Sequence, residues 1–322
     1  MNKDPKKQIK NISASVRARL LNIARQNNFK FDSLLLQYFQ ERFLYRLSIS
    51  EYKDKFILKG GLLFLAYNIP LTRPTKDIDF LGKLLSSDFD NIHRIIQHII
   101  NIQVPDGIKF LTKTVMVDKI KKDQDYEGVK VKIEGELAGA RKMLQMDIGF
   151  GDKVIPAPVK INFPVLLDHP VPQIIVYSKE SVIAEKFEAI VKLELANSRM
   201  KDFYDILFLA SSQIFKSKPL HKAIYTTFKY RNTPLEKRKA IFAEEFKTHT
   251  EKQKLWIAFL KRDRLTSFEK FVEVVDRIEL FIEPIFIEGI TKVSDKIWEN
   301  KSWKWIEKHK FTKEQIRANG GK

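Results

Sequence analysis

Lys59-Gly60-Gly61, fifteen intervening residues, then Asp77-Ile78-Asp79-Phe80 is the stretch on which the reading of this chain turns. Side chains alternate along a strand, so Asp77 and Asp79 share one face while Ile78 and Phe80 point to the other, into a core. Two carboxylates about 7 Å apart along a strand repel unless a cation lies near them. Mg²⁺ suits such a pair, because it takes oxygen ligands and is commonly held by one or two carboxylates plus substrate phosphates. The bland reading is an Asx turn or a solvated strand end. Apolar flanks and the upstream glycines weigh against it.

Working back from the acids, Phe56-Ile57-Leu58 reads as a short strand, and Gly60-Gly61 ends it before Leu62-Leu63-Phe64-Leu65-Ala66-Tyr67, which reads as helical. A strand, a glycine turn and a helix start gather unpaired N–H groups into an anion site. Neither Gly-x-Gly-x-x-Gly nor the Walker pattern Gly-x4-Gly-Lys-Ser/Thr occurs, so the dinucleotide fold and the P-loop lack motif support.

Working forward, Asp147 lies within the apolar run Gln145-Met146-Asp147-Ile148, where an ionised carboxylate is costly unless paired or metal-bound. It completes a three-carboxylate cluster if its strand lies beside the first; otherwise it marks a strand end near Gly149 and Gly151. Lys186 sits on an apolar stripe formed by Val182, Ile183, Ala189 and Ile190, so its ammonium either snorkels outward or meets an anion. Asp202 and Asp205 fall one turn apart on one helix flank, a spacing that solvated pairs also show. The six histidines are scattered and read as structural, and no serine lies in a Gly-x-Ser-x-Gly elbow. Trp298, Trp303 and Trp305 read as docking a basic tail onto the body rather than stacking on bases.

The remaining pattern supplies the frame. Ser13 is expected to cap a first amphipathic helix, Asp32 to open a second, and Asp88 to cap a helix carrying Ile92, Ile95, Ile96 and Ile99. Phe110–Ile120, Gly128–Leu137 and Met143–Phe150 read as strands. After the stretch holding Pro156, Pro158, Pro164, Pro170 and Pro172, helical periodicity takes over. A boundary near residue 172 is expected, giving domains 1–172 and 173–322.

At 322 residues and 44% hydrophobic content, real cores are within reach. The chain has no cysteine, which removes disulfides, thiolate catalysis and Cys-ligated zinc. No uninterrupted run of eighteen apolar residues occurs and the lysine-rich N-terminus has no apolar h-region, so neither a membrane span nor a secretion signal is expected, and a cytoplasmic location is. The formal charge of +18 points to a polyanionic partner. Residues 1–30 hold eight Lys/Arg against one acid and residues 290–322 hold nine against four, so the two ends carry two-thirds of the excess.

Taken together, Lys59-Gly60-Gly61, Arg73-Pro74-Thr75-Lys76-Asp77-Ile78-Asp79-Phe80, Ala184-Glu185-Lys186 and Arg199-x-Lys201-Asp202-x-x-Asp205 resemble the AbiEii/AbiGii toxin family of nucleotidyltransferases, within the DNA polymerase β-like superfamily. All four segments occur in the family's order. The fifteen-residue gap before Asp77 is longer than is usual in the wider superfamily and suits the toxin branch. The last 110 or so residues match no motif.

The resemblance implies an α+β, bilobed protein: an N-terminal polymerase β-like nucleotidyltransferase core with a mixed sheet, and a C-terminal helical lobe supplying part of the site. Lys59, Gly60, Gly61, Arg73 and Lys186 would bind nucleotide, and Asp77, Asp79 and Asp147 would hold Mg²⁺ or Mn²⁺. Asp77, Asp79, Lys186, Asp202 and Asp205 form the catalytic set it implies. Asp202 or Asp205 would position substrate, activate the acceptor or orient Lys186. The implied activity is transfer from an NTP to RNA, tRNA above all, by the toxin of a bacterial toxin–antitoxin or abortive-infection pair whose antitoxin is encoded beside it. The competing readings are a nucleotidyltransferase acting on a protein or small molecule, and a non-catalytic nucleic-acid-binding protein.

Overall fold

Alternating apolar residues in the first half of the chain build one mixed sheet, and helical periodicity in the second half builds a helical core. The computed structural model describes residues 11–67, 75–120, 128–151, 154–263, 265, 270–287 and 293–308. Two compact units interleave along the chain: Met1–Asp152 with Val159–Val176, and Lys153–Pro158 with Tyr177–Lys322.

The first unit opens with α1 (Ile12–Gln26) and α2 (Phe31–Ile49). Asn11, not Ser13, caps α1, its side-chain oxygen accepting from the Ala14 amide at 3.0 Å. Asparagine caps at least as well as serine, and here it comes first. Lys30 precedes α2, and Asp32 lies inside the first turn, where a negative charge favours the helix dipole. There follow β1 (Phe56–Lys59), the single turn α3 (Leu63–Ala66), β2 (Asp77–Gly82) and α4 (Phe89–Asn101), whose cap is Asp88 as its sequence predicts.

The expected strand Phe110–Ile120 is broken into β3 (Lys109–Phe110), a 3-10 turn at Thr112–Thr114, and β4 (Met116–Lys119). The Thr114 hydroxyl donates to the Leu111 carbonyl and accepts the Glu134 amide, a local bonding pattern that turns the chain. Next come β5 (Gly128–Leu137), β6 (Ala140–Phe150), β7 (Val159–Asn162) and β8 (Gln173–Val176). The order across the sheet is β3-β5-β6-β2-β1-β8-β7, with β4 also beside β5. The pairs β2–β6 and β1–β8 are parallel; the others are antiparallel.

One face of this sheet is core. Ile78, Phe80, Val129, Val131, Ile133, Met146 and Ile148 are buried, and Phe80 packs against Phe43 of α2 and Phe56 of β1. Each such side chain contributes about 1.5–3 kcal/mol by leaving water. Register is therefore firmly set, because a one-residue slip would turn every one of these side chains outward.

The second unit contains α5 (Lys179–Leu193), α6 (Met200–Ser212), α7 (Ser217–Tyr230), the single turns α8 (Arg238–Ile241) and α9 (Glu244–Lys247), α10 (Thr250–Asp263) and α11 (Phe271–Ile282). Phe203, Phe246, Trp256 and Phe271 interlock at its centre. Helical periodicity misses a final antiparallel hairpin, β9 (Lys296–Glu299) and β10 (Lys304–Glu307). Trp298 is fully buried with its indole N–H on the Ala210 carbonyl, and Trp305 donates to the Phe281 carbonyl. The described part of the tail is thus docked, as its tryptophans suggest. Among the described residues no helix is long and apolar enough to cross a membrane.

Candidate active site

The core-defined register fixes a row of charges on the opposite face of the sheet. Lys59 of β1 stands across from Asp79 of β2, Asp79 stands beside Asp147 of β6, and Asp147 stands across from Lys130 of β5. Register partners share a face, so four adjacent strands present lysine, aspartate, aspartate and lysine in line. Asp77, two residues before Asp79, begins a second row that continues through Gln145 to Lys132. Asp77, Asp79 and Asp147 are all half-buried.

The sequence leaves the neighbour of Asp147 open; the parallel pairing puts it directly beside Asp79. Neighbouring strands lie about 4.8 Å apart, so these carboxylates would repel strongly without compensation. Lys130 lies 3.7 Å from Asp147, and Gln145 donates to the same carboxylate at 3.4 Å. At the other end, the Lys59 ammonium reaches across β2 to 3.6 Å from where a Cβ on Gly149 would stand.

The two glycines close this row. Gly60 has φ +69°, and a Cβ there would lie 1.9 Å from Asp79 Oδ2, so only glycine lets the turn and the carboxylate coexist. A Cβ on Gly61 would meet Thr75 Oγ1 at 2.5 Å. The helix after the turn is only four residues long. A single turn contributes little helix dipole to the anion site expected there, and the Leu63 and Phe64 amides donate to the Gly60 and Gly61 carbonyls.

Gln40, a buried residue of α2 that sequence reading passes over, donates to the carbonyls of Lys76 at 3.1 Å and Thr75 at 3.4 Å. Pairing of β1 with β2 stops at Lys59 and Asp79, so Gln40 satisfies backbone that the ladder no longer serves. Its helix is anchored by a buried charge cluster. Arg42 and Arg46 both grip Asp106, Arg42 also donates to the Pro170 carbonyl, and Glu41 accepts the Leu166 amide. Burial pushes the Glu41 carboxyl up to about 7, against the pull of the Leu166 amide and Arg42.

The second unit holds the other sequence-derived group together. Lys186 of α5 lies 3.0 Å from Asp202 Oδ1 and 2.7 Å from Asp205 Oδ2 of α6. It meets anions rather than snorkelling. Both aspartates are buried, and Arg199 reaches Asp202 Oδ2 at 2.8 Å. Burial acts to raise the Asp202 carboxyl, but Lys186, Arg199 and Lys201 outweigh it and hold it below the usual carboxylate range. Two further contributors escape sequence reading. Buried Lys252 donates to the Leu195 and Asn197 carbonyls, fixing the segment before Arg199, and buried Glu188 accepts from Arg231 and Thr233. A buried lysine in a lysine-rich helix carries no signal in one sequence. Arg73 lies outside the described residues.

Among the described residues no group of three or more His, Asp or Glu is placed to hold a metal by itself. What β2 offers is a pair of carboxylates two residues apart beside the Gly60-Gly61 turn. That donor set suits a hard cation whose shell is finished by water and substrate oxygens.

The chain matches the family described as nucleotidyl transferase AbiEii toxin, type IV TA system, over residues 42–277. No curated protein is a significant match. Among solved structures, JHP933 from Helicobacter pylori is 16% identical, with TM-score 0.47, covering 79% of this chain and 91% of its own. A second H. pylori chain, provisionally assigned as a nucleotidyltransferase, is also 16% identical at TM-score 0.47, covering 80% and 96%. An antigenic nucleotidyltransferase-like protein from Paracoccidioides brasiliensis is 11% identical at TM-score 0.32, covering 72% and 94%. The family match runs from Arg42 of α2 through both charge clusters to Arg277 of α11, and the chain belongs to the AbiEii nucleotidyltransferase toxins of type IV toxin–antitoxin systems.

Proposed function

We propose that this nucleotidyltransferase moves a nucleotide from an NTP to a hydroxyl of RNA, tRNA being the preferred class, with Asp77 and Asp79 as ligands of Mg²⁺ or Mn²⁺. The observation that carries the reading is the half-buried pair of carboxylates beside Gly60-Gly61, on a face whose flanking groups are lysines. When bound, the cation draws charge from the phosphates and favours ionisation of the acceptor hydroxyl. The backbone of Gly60 and Gly61 cradles phosphate, Lys59 and Arg73 add positive charge, and Asp147, already partnered by Lys130, is the third candidate ligand.

For Lys186 we assign a nucleotide phosphate. Asp202 and Asp205 then orient that lysine. A carboxylate held below its ordinary range by two cations is a poor proton acceptor, so we assign Asp202 an orienting role rather than that of the base. The excess of +18 supports the RNA acceptor. Family membership implies a cognate antitoxin, and we place the pair in the cytoplasm.

Purified protein incubated with each labelled NTP, Mg²⁺ and total tRNA should label RNA, and chelation should stop it. Absence of transfer to any RNA would overturn the acceptor. Transfer that survives chelation would overturn the metal.

A further inference from the structure

Resting on the nucleotidyl-transfer reading above, we propose that Lys132 of β5 binds the β- and γ-phosphates of the NTP, the part that leaves as pyrophosphate. Lys132 occupies the second row of the acidic face, in line with Gln145 and Asp77. Its neighbour Lys130 stands between two acids in register, Asp147 on β6 and Asp118 on β4. Lys132 instead stands between Gln145 and Met116. The next residue on its face, Glu134, is taken up by Arg141 at 4.0 Å. Among the described residues Lys132 has no ion-pair partner, although it is half-buried.

A lysine that is half-buried on this face and has no ion-pair partner among the described residues keeps its ammonium available to an incoming anion. Two inter-strand steps separate its backbone from that of Asp77, about 10 Å, which a lysine stem and a phosphate chain together span. In the transfer step the acceptor oxygen forms a bond to the α-phosphorus while the bond from the α-phosphorus to the bridging oxygen breaks. That oxygen keeps the electron pair and leaves with pyrophosphate, and the acceptor proton passes to solvent. Negative charge thus grows on the leaving group, where a fixed ammonium stabilises it.

The test compares full-length wild type, Lys132→Met, Lys132→Arg and the exposed control Lys113→Met. In Lys132→Met the KM for NTP and the inhibition constant of pyrophosphate should both rise about tenfold, as loss of a charge-assisted contact predicts. The KM for RNA and the melting temperature should stay at wild-type values. Lys132→Arg should recover most of the loss, and Lys113→Met should show none. Unchanged NTP and pyrophosphate constants overturn the proposal, as does a rise confined to the KM for RNA. Should the wild type transfer nothing to RNA, the acceptor reading falls, and calorimetry of Mg²⁺–NTP and pyrophosphate binding to the same variants still decides Lys132.

Discussion

Gly60 shows how tightly this site is drawn at the level of single atoms. Its φ is positive, and a Cβ added to it would stand 1.9 Å from Asp79 Oδ2, so Gly60→Ala must push Asp79 aside. Displacement on the ångström scale at a reacting centre costs about 100-fold in rate. Gly60→Ala should therefore lose about that much transfer activity, while circular dichroism shows the secondary structure retained. Asp79→Asn removes the charge and little volume; it should fall to background activity at wild-type melting temperature. Activity in a folded Asp79→Asn protein would remove β2 from the chemistry. Lys186 needs a subtler test, since Lys186→Met takes a cation away from two buried carboxylates and should destabilise by about 3 kcal/mol. Adding Asp205→Asn should restore part of that stability but none of the transfer. Recovery of activity in the double variant would make Lys186 a structural cation only.

Among the elements, α2 links the fold to the site. Leu34, Leu35, Phe39 and Phe43 bury its apolar positions, yet Gln40, Glu41, Arg42 and Arg46 are buried as well. The apolar spacing of this helix is legible in the sequence. Its polar cluster is not, because Arg46 and Asp106 are 60 residues apart and only tertiary pairing explains them. The same limit governs the sheet: alternation marks β5 from Gly128 to Leu137, but no local signal tells that β2 and β6 run parallel with Asp79 beside Asp147. The hairpin β9–β10 escapes for a different reason. Its tryptophans and lysines obscure alternation, and Trp298 packs by indole contacts that periodicity does not encode. Glu41 offers a test of the α2 cluster. Its carboxyl is raised from 4.5 to about 7 by burial, so between those pH values the folded chain keeps a proton that the unfolded chain has released. Stability from this group thus falls as pH rises through that window. Glu41→Gln should add about 3 kcal/mol at pH 8 and little at pH 4.5. Melting curves at the two pH values check this, and an equal shift at both would rule it out.

For the whole molecule, net charge is the property that bears on the choice of acceptor. The acidic row, the glycine turn and the Lys186 cluster suit any NTP-using transferase, and none of them chooses RNA over a protein or a small molecule. The excess of +18 does bear on that choice. RNA binding through phosphates releases condensed cations, so its affinity falls with salt at a log–log slope of about −0.7 per contacted phosphate on a single strand. If six or more phosphates are engaged, the KM for RNA should rise by roughly 10²–10³ between 50 and 200 mM salt. The KM for NTP should change far less if, as proposed, a cation holds the triphosphate in a half-buried site, which is less screened than a surface contact. Competition supplies an independent arm: unlabelled RNA should displace the acceptor at low salt and lose that ability at high salt. Equal, shallow salt dependence of both constants would mean that the basic ends are incidental, and would turn the search for the acceptor toward proteins and small molecules.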